Sequence, residues 1–260
     1  MSHFASKLSR FFYGEHPTRK TYYQHEDMFS SIRPARIVYT GNYIFKPDIL
    51  KYFIPFAPLK LRMAGPLLGR LLKHELQEKF VSANLPMLHK RTVRELGQSE
   101  FRPGISTDTA RIDLSGEFKR QFYGDVLLFS IEKLIFLGFP RQNINLEIIS
   151  ETLEKTYLDM LELYKLRRLR ISEKLLQLKD KFQVNQFWWK VFPQHKDATE
   201  RFAVFMDNME FNFSEQSLGY KLITDESTKT NRFKEMIKSI VTYNDDRFNW
   251  SEMLADSSAK

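Results

Sequence analysis

The stretch Leu146-Glu147-Ile148-Ile149-Ser150-Glu151-Thr152-Leu153-Glu154-Lys155-Thr156-Tyr157-Leu158-Asp159-Met160 opens the longest periodic run in the chain. Ile149, Leu153, Tyr157, Met160, Tyr164, Ile171, Leu175, Leu178 and Phe182 recur at intervals of three, four or seven, which is the spacing of one helix face. A single helix from Leu146 to about Gln183 would be about 55 Å long. A second apolar row, Leu158, Leu161, Leu169 and Leu176, suggests that this helix packs on two neighbours. Arg167, Arg168 and Arg170 interrupt the pattern midway; a solvated face accounts for them most simply, and reception of an anion is the alternative.

The helical pattern extends to both sides of this run. Phe118 to Leu137 carries apolar residues at 122, 126, 129, 134 and 137, with Gly138 and Pro140 as stop signals. Shorter helices are expected at about 196–211, 230–243 and 249–255. Phe187-Trp188-Trp189, followed by Val191, Phe192 and Pro193, is an aromatic cluster of the kind that closes a core, with stacking on a ligand as the lesser alternative.

The first 104 residues differ in character. Most of the ten prolines and six of the ten glycines lie there, which implies short elements and loops. Arg36-Ile37-Val38-Tyr39-Thr40 is β-branched and aromatic, hence a predicted strand, and Gly41-Asn42 suits a turn after it. A short helix is expected at 48–53, ended by Pro55 and Pro58. Gly65-Pro66 looks like a helix start with Pro66 at the first helical position, and the helix would run through Leu67, Leu68, Leu71, Leu72 and Leu76. Lys79 to Asn84 is a second predicted strand. A polar loop, Gly97 to Asp108, separates this part from the rest. The expected organisation is therefore a mixed basic region at 1–104 and a helical domain at 105–260, making an α+β, predominantly helical fold with one long helix.

Composition narrows the function classes. With 42% hydrophobic residues, 14% aromatic and 23 phenylalanines, the chain can bury a sizeable core. It has no cysteine, so disulfides, thiolate zinc sites and cysteine nucleophiles are excluded. No run of about 18 apolar residues is present to span a bilayer, and the N-terminus lacks the long apolar stretch of a signal peptide. A cytoplasmic location, peripheral to a membrane in one variant, is the expectation. Phe4, Leu8, Phe11 and Phe12 suit a short amphipathic helix that packs on its own domain or touches a membrane. The formal charge of +8 is unevenly distributed: residues 1–104 hold 17 Lys and Arg against 8 Asp and Glu, a net of +9, while residues 105–260 are close to neutral. The first part should attract anions, among them phosphates, nucleotide-sugars and anionic lipid, with nucleic acid ranked lower.

Motifs of known chemistry are few. The chain has no phosphate-binding glycine loop of Walker or dinucleotide type, no Gly-x-Ser-x-Gly elbow and no His-Glu-x-x-His pair. His25-Glu26-Asp27 sets an imidazole beside two carboxylates, as a metal ligand, a general base or a polar loop. Leu85-Pro86-Met87-Leu88-His89-Lys90-Arg91 places one histidine before two cations, a candidate metal ligand beside candidate phosphate contacts.

Three segments in order, Gly41-Asn42-Tyr43-Ile44-Phe45, then Arg62 to Leu72, then Leu85 to Arg91, resemble the later half of the catalytic domain of family-2-like glycosyltransferases with the A-type nucleotide-sugar fold. The resemblance covers roughly residues 30–95. It implies that Gly41 and Asn42 line an acceptor pocket, that Arg62 and Arg70 contact anionic groups, that His89 approaches a divalent manganese or magnesium ion, and that Lys90 and Arg91 face the sugar diphosphate. The metal and cations would neutralise charge on the leaving group. Gly65-Pro66 stands where the family opens this helix with an acidic pair, and the Asp-x-Asp motif and the donor-binding half are not found. The implied function is sugar transfer from a nucleotide-sugar by a fragment, by one subunit whose partner supplies the donor half, or by an inactive relative. The alternative is a noncatalytic helical interaction or scaffold protein that docks an anionic partner through the basic N-terminal region.

Overall fold

The computed structural model describes residues 8, 12, 26–38, 43–52, 55–84, 111–183 and 196–258. Of these, 74% are helical, and the only sheet among them is a two-stranded antiparallel pair, so the fold is predominantly helical α+β. The pair joins β1 (Arg33–Pro34) to β2 (Val81–Ser82), with Arg33 opposite Ser82. The helices are α1 (Ala64–Leu76), α2 (Ser115–Phe136), α3 (Leu146–Gln183), α4 (Lys196–Phe213), α5 (Leu218–Thr224), α6 (Glu226–Val241) and α7 (Tyr243–Ser258). Short 3-10 turns lie at Pro47–Lys51, Ala57–Leu59 and Gln77–Lys79.

Two compact units share these elements. One contains residues 1–22, 89–119 and 161–225; the other contains 23–88, 120–160 and 226–260. The expected domain boundary at 104–105 lies outside the described residues.

In the first unit two buried asparagines on α4 hold a passing strand of backbone. Asn208 accepts from the Ile112 amide at 2.8 Å, and Asn212 accepts from the Leu114 amide at 2.7 Å while donating to the Ile112 carbonyl at 2.7 Å. Part-buried N–H and C=O groups outside a helix need partners, and these side-chain amides supply them. Phe118 packs edge-on to Tyr164 at 5.5 Å. Leu8 and Phe12 are buried, and the Phe12 ring meets Phe205 at 5.6 Å, so this part of the N-terminus packs on its own unit. Arg168 lies over the Tyr220 ring, whereas Arg167 and Arg170 are exposed.

The second unit is built around Arg120–Phe136 of α2. Phe122, Tyr123, Val126, Ile131 and Leu134 have no exposed surface. Apolar residues at nearly every angle around a helix are the mark of one buried on all sides. Phe122 meets Tyr157 of α3 edge-on at 5.6 Å, and Tyr157 meets Phe233 of α6 at 5.7 Å. Each such side chain removed from water contributes roughly 1.5–3 kcal/mol.

Three expectations are corrected. Arg36–Val38 forms no strand among its described residues; the chain instead crosses α1 at two glycines one turn apart. A Cβ on Gly69 would stand 2.5 Å from the Arg36 carbonyl oxygen, and one on Gly65 would stand 2.1 Å from that of Val38. The Val38 amide donates to the Gly65 carbonyl at 3.2 Å, so its hydrogen bond goes to the helix and not to a ladder. Helix α1 begins at Ala64, which puts Pro66 at the third position, still within the first turn where its missing N–H is harmless. The second leucine row of α3 is largely exposed: Leu161 is half-buried, while Leu158, Leu169 and Leu176 are exposed on a face they share with Glu162 and Glu173.

The crossing generates a prediction. Glycine to alanine inside a helix ordinarily stabilises by about 0.5–1 kcal/mol. At Gly69 the added methyl meets backbone, so Gly69→Ala should destabilise by roughly 1–3 kcal/mol. The change of sign is readable from urea-unfolding midpoints.

Candidate functional site

The residues singled out by the family resemblance divide into two groups. Gly41, Asn42, His89, Lys90 and Arg91 lie outside the described residues, as does His25. Arg62 and Arg70 are described, and both belong to the packing around α1 and α2. The Arg62 amide donates to the Arg120 carbonyl at 3.2 Å, and the Arg62 backbone lies so close to Gly124 that a Cβ there would be 2.5 Å from the Arg62 carbonyl oxygen. Arg70 donates from Nη1 to the Arg36 carbonyl at 2.7 Å, and its Nε lies 3.3 Å from Glu132 Oε1. Arg36 reaches the same carboxylate oxygen at 2.7 Å. Glu132 thus ties together the two chain segments that cross at Gly69. Arg70 does contact an anion, and that anion is an internal carboxylate. Asp27 closes a turn by accepting from the Ser30 amide at 2.8 Å. Among the described residues no group of three or more His, Asp or Glu gathers as around a metal ion.

The most elaborate charged cluster is one that the sequence did not suggest. Arg247 of α7 makes a bidentate pair with Glu75 of α1, both bonds at 2.7 Å. This parallel geometry is the strong form of an arginine–carboxylate contact. The guanidinium also lies 5.2 Å over the Tyr52 ring. Beside it Tyr243 stacks on Phe56 at 5.7 Å and tilts against Phe139 at 5.1 Å. Burial pushes the Tyr243 hydroxyl up to about 12, with Arg247 opposing and Glu75 reinforcing the rise. The Tyr52 hydroxyl is raised in the same direction, again chiefly by burial and next by Glu75.

This cluster holds in place a segment whose side chains face water. Pro47 enters a 3-10 turn that ends at Lys51, closed by hydrogen bonds from the Ile49 amide to Lys46 and from the Tyr52 amide to Ile49, each 2.9 Å. Trp250 Nε1 of α7 donates to the Leu50 carbonyl at 2.7 Å. The backbone is therefore anchored at Leu50 and Tyr52, while Ile44 is 88% exposed and Leu50 47%. Tyr43 and Phe45 are also exposed and stack on each other at 5.3 Å. Lys46 and Lys51 are exposed among them, with Asp48 as the single carboxylate of the segment. Beyond it Lys60, Lys73 and Lys79 are exposed on the same unit. The arrangement can offer an apolar, cationic surface; it gathers no general base opposite a nucleophile.

No protein-family model, curated protein or solved structure matches the chain.

Tyr243 gives a pH prediction. Its folded-state value lies above its ordinary value of 10, so the native state holds the proton more tightly than the unfolded chain. That contribution is fully present below pH 10 and is lost as the pH rises towards 12, on the order of 2 kcal/mol in all. Urea-unfolding midpoints across this range should fall, and the difference between the native chain and Tyr243→Phe should shrink, because phenylalanine has no proton to lose.

Proposed function

We propose that the chain is a noncatalytic helical interaction protein that docks an anionic partner through its basic N-terminal region. One observation carries the reading: between residues 43 and 84 the exposed charges are Lys46, Lys51, Lys60, Lys73 and Lys79 against Asp48 and Glu78. Glu75, the remaining carboxylate there, is drawn into its pair with Arg247. The positive balance of the sequence is thereby turned outward, where its field steers an anionic partner and is screened by salt.

The resemblance offers a separate proposal for the same region, transfer of a sugar from a nucleotide-sugar with His89 at a manganese or magnesium ion and a second subunit supplying the donor half. That proposal rests on the quoted motifs.

Two measurements on the full chain separate the readings. In retention on an immobilised polyanion, Lys46→Glu/Lys51→Glu/Lys60→Glu should weaken binding about tenfold or more. Lys155→Glu/Lys174→Glu/Lys234→Glu, three exposed residues of the helical part with the same change in net charge, should have little effect. Equal loss from both triple variants would reduce the attraction to net charge and overturn the docking region. In the second measurement, melting temperature should not move with uridine or guanosine diphosphate sugars and manganese. A rise that saturates with one of them would establish the transferase reading in its place.

A further inference from the structure

We infer that the segment Tyr43–Lys51 is an interfacial membrane anchor, and that the anionic partner of this region is a bilayer surface carrying acidic phospholipid. The inference rests on the docking reading above and names its partner.

Three features of the segment point to lipid. The first is what it exposes. Ile44 and Leu50 are aliphatic and exposed, and the stacked pair of Tyr43 and Phe45 stands beside them. Aromatic rings with a polar tip or edge favour the headgroup level of a bilayer, and aliphatic side chains next to them reach the acyl boundary. A nucleic acid would take Ile44 or Leu50 only as wedges, at the cost of unstacking bases, whereas a bilayer receives both at its acyl boundary.

The second feature is the charge around the apolar tip. Lys46 lies directly after Phe45, and Lys51 directly after Leu50. Arg141 is also exposed and close enough to act on the Tyr52 hydroxyl, as is Asp48. Lys51 rests its ammonium 5.4 Å over the Tyr52 ring, which brings the cation to the base of the apolar tip. Three cations against one carboxylate, two of them adjoining exposed apolar residues in the chain, complement a surface of acidic headgroups over a hydrocarbon layer. Arg247 and Glu75, which lie beneath, cancel each other and add nothing to the field.

The third feature is order. Apolar side chains on a loose loop can fold back and hide. Here Pro47 fixes its own φ, two hydrogen bonds close the turn, Trp250 holds the Leu50 carbonyl and Arg247 covers Tyr52. The backbone from Lys46 to Tyr52 is thus set before docking, and the entropy of ordering it is lost on folding and not again on docking. Exposed apolar side chains beside cations suit insertion into a soft surface. A preformed protein groove is the competing occupant, but it would gain nothing from acidic phospholipid, and the experiment separates the two on that ground.

The test is flotation of the full chain with vesicles of phosphatidylcholine alone and of phosphatidylcholine with phosphatidylserine. Binding is expected to the mixed vesicles and to be weaker by about tenfold or more on phosphatidylcholine alone. Lys46→Glu/Lys51→Glu and Ile44→Asp/Leu50→Asp should each lower binding to the mixed vesicles about tenfold or more, the first by charge and the second by loss of apolar insertion. All four side chains are exposed, so melting temperature and circular dichroism should stay close to those of the native chain. A second measurement needs no loss of binding: the chain has no cysteine, so Ile44→Cys takes a single environment-sensitive fluorophore. Its emission should shift to the blue on mixed vesicles and stay unchanged on phosphatidylcholine.

The outcomes distinguish the two levels of the claim. If the chain ignores both vesicle types yet binds the polyanion through Lys46 and Lys51, the docking reading stands and the membrane inference fails. If it binds neither, both fail. Equal binding to the two vesicle types would overturn the role given to acidic lipid, and a label at position 44 that stays in a watery environment on bound vesicles would overturn the role given to the tip.

Discussion

Burial of α2 on all sides from Phe122 to Leu128 is the constraint on which the second unit depends. Every residue of that stretch is buried, and Ile131 and Leu134 continue the buried side, so neighbours must cover every face of the helix over these two turns. The backbone of Arg62 covers one of them at Gly124, where a side chain would not fit. Tyr157 of α3 covers another through Phe122. The same helix presents Glu132, whose carboxylate draws in Arg36 and Arg70 and fixes the crossing of 36–38 over α1. Once that crossing is set, α1 presents Glu75 to Arg247 of α7, and α7 in turn holds the 3-10 turn at Leu50. A hydrophobic requirement at the centre is thus transmitted through named polar contacts to the exposed segment at 43–51.

Much of this was legible in the sequence, because periodicity reports which face of a helix is buried. The run from Leu146 to Gln183 is one helix, and Ile149, Leu153, Tyr157, Tyr164 and Leu175 form its buried row. Helices α1, α2, α4 and α6 also lie within a few residues of where apolar spacing placed them, while α7 begins at Tyr243, six residues before the expected 249. The failures have physical causes. Helix α5 is only seven residues long, too short for periodicity, and its one local signal is Ser217, whose hydroxyl accepts from the Tyr220 amide as an N-cap. Arg36-Ile37-Val38 has strand composition, yet composition cannot tell a ladder from a backbone lying in a groove made by Gly65 and Gly69. Leu158, Leu169 and Leu176 have helical spacing but are exposed, which is a property of tertiary structure alone.

The candidate site was less legible. Arg62 and Arg70 were singled out by resemblance to an anion-binding pattern, and the structure gives Arg70 an internal carboxylate and the Arg62 backbone a place against α2. Tyr43-Ile44-Phe45 has the composition of a core strand, and composition does not report the exposure of Ile44. The neighbouring backbone at Leu50 and Tyr52 is held by Trp250 and Arg247, which lie far from it in sequence. The charge asymmetry, by contrast, was visible from residue counts, and its consequence was decided by which groups pair inward: Arg36, Arg70 and Arg247 are used within the fold, and Lys46, Lys51, Lys60, Lys73 and Lys79 remain outside.

The central claim is that a helix buried on all sides fixes, through a chain of contacts, an ordered segment that docks on an acidic bilayer. Amide hydrogen exchange of the intact chain, alone and with vesicles containing phosphatidylserine, tests it most directly. Residues 120–136 should exchange most slowly in both conditions, and residues 46–52 should gain protection only when the vesicles are present. Fast exchange through 120–136, or vesicle-dependent protection that appears elsewhere and leaves 46–52 unchanged, would contradict the account.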